Sequence, residues 1–392
     1  MDHSLIKPII IPTSSSGWQH QLNMLKSDHP EIVVVDYYQN QLNELFLIRN
    51  PKDANNQSKR FRFIDTFLHS KSPENHGNWI YYPWRNTLVH LLEESAYQEI
   101  RTARNRPIIS KRQQDRFLNL TIGVVGLSVG NAIAQNIVYS GGCNTVKLAD
   151  ADILELSNLN RVQASTVNLG SNKAITSAQQ IYEINPYAQV IIYDHKIDVN
   201  NIMDFLTSKP KVDLVVDECD DLTLKNYLRL IARASKIPLL SITDVGLESK
   251  VDFHRFDLTS KTGGMRKVPD FSVEELLETY RLTEPVKLSP REQLKLIVDI
   301  VGKKNVSQEM QNGSMLRANL KLAGWPQLAM TVFAGASLAT YITLLYANNV
   351  TTYAQQKSVS FPSLLKPGYL SQKAIDQRRR FSRKFSLYLR KR

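Results

Sequence analysis

From residue 120 onward the chain alternates short, wholly apolar segments with helical ones, and no other feature constrains its fold as strongly. TIGVV (121–125) runs into a Gly-rich turn and a helical stretch at 131–140. TVKLAD (145–150), QVIIYD (189–194), VDLVVD (212–217), a helical stretch over 222–234 and IPLLSIT (237–243) continue the series. Strands that are apolar on both sides need cover on both faces, which helical crossovers supply. The expected class is therefore α/β, a mostly parallel sheet with helices on both faces. Ligands of such sheets bind beyond the carboxyl ends of the strands.

Residues 1–95 read as a separate small α+β unit. EIVVVD (31–36) and ELFLI (44–48) are expected strands, and PKDANNQSKR (51–60) an expected loop. The aromatic cluster Trp79, Tyr81, Tyr82 and Trp84 is expected in a core, leading into an amphipathic helix around 87–100. The sheet-forming domain is expected over 96–258. Residues 259–370 follow as a mobile loop (259–270) and helical material that forms core or dimer interface. Within it, 322–356 carries no charge. Its apolar run has membrane length, yet recurring Thr331, Ser337, Thr340 and Thr343 and small residues suit a buried helix instead.

The formal net charge of +12 is concentrated. Residues 371–392 hold nine Lys/Arg against one acid, Asp376, leaving about +4 for the other 370 residues. That basic tail is expected to be solvated or to cap a helix, and nucleic acid is a minor option. Two cysteines, Cys143 and Cys219, build neither a disulfide framework nor a structural zinc site. The N-terminus lacks the basic start and long apolar run of a secretory signal, so a reducing, cytoplasmic setting without membrane insertion is expected.

The first apolar strand ends in Gly126-Leu127-Ser128-Val129-Gly130, which admits two readings. As Gly-x-Ser-x-Gly it matches a hydrolase nucleophile elbow, with Ser128, Asp220 or Asp244, and His254 available for a triad. As a nucleotide turn, its N–H groups and the following helix N-terminus hold phosphates. Asp150, 24 residues after Gly126 at the end of the next strand, favours the second reading. An acid there hydrogen-bonds ribose hydroxyls in nucleotide-binding βαβ units.

D-A-D (150–152), S-N-L-N-R (157–161), Gly170-x-x-Lys173, Asn185-Pro186 and D-E-C-D-D (217–221) follow in order, and Arg104-Asn105-Arg106 precedes the first strand. Together they resemble the ThiF/MoeB family, adenylating relatives of ubiquitin-activating enzymes, whose fold is Rossmann-like. The resemblance implies ATP- and Mg²⁺-dependent adenylation of a carboxylate by a homodimer. It implies that Gly126, Ser128 and Gly130 approach the nucleotide phosphates and that Asp150 and Asp152 bind its sugar side. It implies that Asn158, Arg161 and Lys173 contact phosphate, that Asp220 holds Mg²⁺, and that Arg106 reaches the γ-phosphate from the partner subunit.

The chemistry is consistent with those side chains. A carboxylate is already ionised at neutral pH, so its attack on phosphorus needs alignment and cations rather than a general base. Departures from the pattern narrow the expected role. The zinc-holding Cys-x-x-Cys pairs and a downstream thioester cysteine are missing, which argues against sulfur-carrier or ubiquitin-type activation. The layout is similar to the enzymes that mature ribosomally made peptides in the microcin C and pantocin A systems. By that likeness the expected substrate is a peptide or small protein, with residues 1–95 as a peptide-binding unit. A non-catalytic nucleotide or peptide sensor is the competing class.

Overall fold

A computed structural model of the chain describes residues 6–244 and 246–258, then 289, 291–292, 294–295, 298, 308–319, 321, 325–350 and 355–390. The expected loop at 259–270 lies outside the described residues. Contacts divide the chain into two compact units. One comprises Met1–Asn119, Val138–Asn144 and Ser177–Val190; the other comprises Leu120–Ile137, Thr145–Thr176 and Ile191–Arg392.

The first unit holds four strands, β1 (Ile9–Pro12), β2 (Val33–Asp36), β3 (Asn78–Tyr82) and β4 (Thr87–Leu91), in the order β1-β3-β4-β2. β3 pairs antiparallel with β1 and β4, while β2 runs parallel to β4 at an edge. The first 119 residues carry the helices α1 (Trp18–Asp28), α2 (Tyr38–Arg49), α3 (Gln57–Phe67), α4 (Glu94–Thr102) and α5 (Lys111–Leu118). Three of the four clustered aromatics are core, as expected: Trp79, Tyr81 and Tyr82 are buried on β3, while Trp84 is only half-buried. Trp79 stacks on the buried His90 ring at 4.2 Å, and His90 stacks in turn on Tyr38 at 4.2 Å.

Three expectations in this unit are corrected. ELFLI is helical, inside α2, because Tyr38, Leu42, Leu45 and Phe46 recur at helical spacing and all are buried. Five residues are too short a window to show that period. The expected loop at 51–60 gives way to α3 from Gln57, with Asn56 capping the helix by accepting from the Lys59 N–H at 3.0 Å. The expected helix over 87–100 begins as strand β4, where Leu88 and His90 alternate inward, and becomes helical only at Glu94.

The other sheet has seven strands among the described residues. β5 (Thr121–Val125), α6 (Gly130–Tyr139), β6 (Thr145–Ala149), α7 (Lys173–Ile184) and β7 (Gln189–Tyr193) come first. α8 (Ile202–Thr207), β8 (Leu214–Asp217), α9 (Leu222–Ala234), β9 (Leu239–Asp244) and β10 (Glu248–His254) follow. α10 (Gln308–Ala318), α11 (Ala329–Ala347), β11 (Gln355–Ser360), α12 (Phe361–Leu365) and α13 (Gln372–Arg390) complete the series. Of these elements the end of α6, most of α7 and the first residues of β7 belong to the first unit, and the rest to the second. The strand order is β11-β10-β9-β8-β5-β6-β7. β6, β5, β8 and β9 are parallel, and β10 is antiparallel to both neighbours. The fold is the expected mostly parallel, Rossmann-like sheet. The order in which successive strands are laid down reverses at β5, with β6 and β7 on one side and β8 and β9 on the other, the switch point where such sheets bind ligands.

α11 is the one helix among the described residues that is long and apolar enough to cross a membrane. Its small residues nonetheless lie on the sheet. A Cβ at Gly335 would come within 2.5 Å of both Ile242 and Ser249, on β9 and β10. The basic tail forms the 19-residue helix α13, whose described Lys and Arg side chains are mostly exposed while Phe385 is fully buried.

The helical reading of α2 separates two leucines that a strand would place on one face. Leu45→Ala is expected to cost about 2–5 kcal/mol, and Leu47→Ala, at a 37% exposed position, no more than about 0.5 kcal/mol. Chemical denaturation of both variants checks this, and equal losses would contradict it.

Candidate active site

The turn after β5 leaves little freedom. Gly126 has φ +86°, and a Cβ there would meet the Glu218 carbonyl oxygen at 2.4 Å, so only glycine fits. Its N–H donates to the Ala149 carbonyl at 2.9 Å. Asp150, at the end of β6, accepts from the Leu127 N–H at 2.7 Å through one oxygen and from the Asp152 N–H at 2.9 Å through the other. This carboxylate therefore joins the glycine turn to the segment that follows β6. Burial raises its pKa, against the pull of Lys173 and the two N–H groups. Ser128 is half-buried in the turn and Gly130 opens α6.

α7 presents Lys173 at its first turn. Asn172 caps the helix, accepting from the Ala174 N–H at 2.8 Å while its own amide donates to the Asp150 carbonyl at 3.0 Å. The Lys173 ammonium lies 2.8 Å from Asp152, whose side chain is 73% exposed. Asp152 is thus the lysine's partner across the mouth of the turn. The buried Asn158 closes the short helical turn before Arg161 by accepting from the Glu155 N–H at 3.1 Å.

Arg161 donates to Asn160 Oδ1 at 2.8 Å, and its Nε is buried with no partner among the described residues. Burial lowers its pKa, opposed by the facing carboxylates Asp220 and Asp244. The four acids after β8 separate cleanly. Asp217 is fully buried; burial alone would raise its pKa, but Lys225 at 2.9 Å and Arg229 at 3.9 Å outweigh it and hold the carboxyl low. Glu218 accepts from the Ile242 N–H, and burial raises its pKa well above the usual range. Asp221 pairs with Lys196 at 3.0 Å and accepts from the Leu224 N–H at 3.1 Å. Asp220 alone of the four is exposed and free of hydrogen bonds and ion pairs among the described residues.

A single free carboxylate fits Mg²⁺, which keeps several waters and takes its other ligands from phosphate oxygens. No cluster of three or more potential metal ligands exists among the described residues. The structure brings Gly126, Ser128, Gly130, Asp150, Asp152, Asn158, Arg161, Lys173 and Asp220 into the second unit, around the carboxyl ends of β5, β6 and β8. Arg106 is exposed and belongs to the first unit. The serine-hydrolase triad is not assembled: Ser128 has no hydrogen bond to a histidine among the described residues.

Three positioning residues escaped the sequence reading. Asn172 was findable, since a Ser-Asn pair before a periodic apolar stretch is a helix-start signal. Asn131 is buried in α6, accepts from Gln135 at 2.9 Å and donates to the Gln163 carbonyl at 3.3 Å, bracing the segment that carries Arg161. Asp244, considered only as a triad acid, is buried at the end of β9, and neither oxygen has a hydrogen-bond partner among the described residues.

Burial pushes the Asp244 carboxyl from the usual 3.8 up to about 7, against the neighbouring Thr331 hydroxyl and Arg161 guanidinium. The folded state therefore binds the proton more tightly than the unfolded chain does. The stability this adds is full below about pH 4 and is lost as pH rises through about 7. Asp244→Asn is expected to melt above the native chain at pH 8 and to show a smaller margin at pH 5. Thermal denaturation at both values checks it, and a larger margin at pH 5 would contradict the assignment.

Residues 101–380 match the ThiF family. The chain is 35% identical over 260 residues to an uncharacterised protein of Mycobacterium tuberculosis, covering 66% of this chain and 34% of that one. It thus spans about a third of that relative's length. It is 25% identical over 177 residues to the molybdopterin-synthase adenylyltransferase of Haemophilus influenzae, covering 44% of this chain and 71% of that one. Among solved structures, Escherichia coli MccB with AMPCPP and MccA is similar at 18% identity and a TM-score of 0.46, covering 66% of this chain and 68% of that chain. With a match that spans most of the chain and includes every motif of the crevice, this protein belongs to the ThiF family.

Proposed function

We propose that this chain is an ATP-dependent adenylyltransferase that activates a carboxylate of a peptide or small protein, in the maturation of a ribosomally made peptide. The observation that carries the reading is the half-buried Arg161, with an unpaired Nε, facing free Asp220 at the carboxyl edge of the sheet. Adenylation needs that combination: a cation held in a low-dielectric crevice to accept negative charge developing on phosphate, and a carboxylate free to hold a metal. The adenylyltransferase among the relatives supports the same chemistry.

In this reading the Gly126 turn and the N-terminus of α6 receive phosphate, and Asp150 binds the ribose hydroxyls. Lys173 leaves the exposed Asp152 to neutralise phosphate. Asp220 would hold Mg²⁺, which supplies charge neutralisation at the triphosphate. Asn158 keeps Arg161 aimed at the α-phosphate. Arg106 contributes from a second copy of the chain, making the active species a homodimer. The first unit receives the peptide. Its edge strand β2 exposes Val33, Val34 and Val35, and an extended chain can add to such an edge through main-chain hydrogen bonds.

Pyrophosphate release from Mg·ATP in the presence of candidate precursor peptides tests the assignment. Arg161→Ala is expected to lower turnover about 10²–10³-fold without lowering the melting temperature, and Asp220→Ala to raise the Mg²⁺ concentration required. Nucleotide bound tightly but never cleaved, across a broad set of carboxylates, would turn the reading toward a sensor. Light scattering that finds only monomers would remove Arg106 from the site.

A further inference from the structure

α13 has two opposed faces. Phe385, Tyr388 and Leu389 pack with Leu294, Val298 and Trp325. Lys373, Arg380, Arg383, Lys384, Leu387 and Arg390 are exposed instead. At about 100° and 1.5 Å per residue, these six fall within about 120° of the circumference and along about 25 Å of helix. None of the five cations forms an ion pair among the described residues. Asp376 is the one acid between 361 and 390, and Arg379 lies 3.5 Å from it. Charge alone would make this a solvated stripe. Apolar side chains at the same end of the helix add a second demand. α12 ends in Leu364 and Leu365, which are 69% and 78% exposed, and Leu370 follows at 65%. Fraying does not account for them, because the turn that carries them is fixed. The Lys366 N–H donates to the Pro362 carbonyl at 3.0 Å and the Ser371 N–H to the Gly368 carbonyl at 3.0 Å. The Arg378 guanidinium donates to the Tyr369 carbonyl at 2.8 Å and stacks 3.9 Å from the Tyr369 ring.

Large apolar side chains grouped on ordered, exposed backbone mark a docking surface. A straight cationic stripe fits two polyanionic partners, a phosphodiester backbone or a layer of lipid headgroups. The leucines decide between them. A phosphate backbone offers an exposed leucine no apolar contact. At a bilayer surface, leucine enters the boundary between headgroups and acyl chains while lysine and arginine meet the headgroup phosphates. We propose that α13 and the Leu364–Leu370 corner form a peripheral docking surface for a bilayer rich in anionic lipid. The chain is held on the membrane without spanning it, since the apolar face of α13 is already spent on Leu294, Val298 and Trp325. Lys366, exposed within the corner, joins the two halves of the surface. None of these residues belongs to the crevice, so the surface stands independently of the adenylation reading.

Flotation of the full chain with lipid vesicles tests this. The native chain is expected to float with vesicles of phosphatidylglycerol mixed with phosphatidylcholine, and not with phosphatidylcholine alone. Added salt should weaken the binding, as screening requires. Arg380→Gln, Arg383→Gln and Lys384→Gln together should lower the affinity about 10²-fold. Leu364→Ser, Leu365→Ser and Leu370→Ser together, which keep every cation, should lower it about tenfold or more. All six positions are exposed, so both variants should melt with the native chain, and the comparison of the two vesicle types needs no variant at all. No flotation, or equal flotation with both vesicle types, would overturn the proposal. So would leucine variants that bind as the native chain does, particularly if an RNA duplex displaces the vesicles, because the face would then answer to charge alone.

Discussion

The arrangement at the crevice depends on the Asp150 carboxylate. One of its oxygens holds the Leu127 N–H and the other the Asp152 N–H, so a single side chain fastens the turn after β5 to the segment after β6. Gly126 makes this possible, because its left-handed backbone and missing Cβ let the turn pass against the Glu218 backbone. Without that close approach the end of β8 would stand away from the turn, and the acids that follow it would not share an edge with Arg161. Charge-assisted hydrogen bonds of this kind are stronger and shorter than neutral ones, and partial burial strengthens them further.

Around that fixed point the polar side chains divide into those already satisfied and those left open. Asp217, Glu218 and Asp221 are occupied by Lys225, the Ile242 N–H and Lys196, respectively. Asn158, Asn172 and Asn131 are occupied in holding backbone. The groups left over are the exposed Asp220 and, carrying the cost of burial without a hydrogen bond, the Arg161 Nε and Asp244, and they gather at the carboxyl edge of one sheet. A fold retains such a cost where a ligand relieves it.

The first unit shows where reading a sequence reaches its limit. The apolar segment 44–48 looks like a strand because only five residues stand clear of polar neighbours. Its true period emerges once Tyr38 and Leu42 are seen on the same buried face. The opposite error at 87–91 has the same origin. Leu88 and His90 alternate inward, but a histidine does not register as apolar until it is found stacked between Tyr38 and Trp79. In both places pairing with distant strands overrides local propensity.

The sequence by itself determined the architecture of the seven-stranded sheet and marked candidate residues at its carboxyl edge. Strands buried on both faces are apolar throughout, and a nucleotide turn needs glycine and acid at set intervals, so both leave marks that short windows reveal. Only the tertiary structure decided which of four neighbouring acids stays free, which asparagines serve as braces, and that Asp244 faces Arg161 without a hydrogen bond. Those outcomes turn on burial and on partners far along the chain. Asp217 and Asp220 are the same residue type three positions apart, and the difference between an ion-paired core carboxylate and an exposed free one comes from which side of the sheet edge each meets.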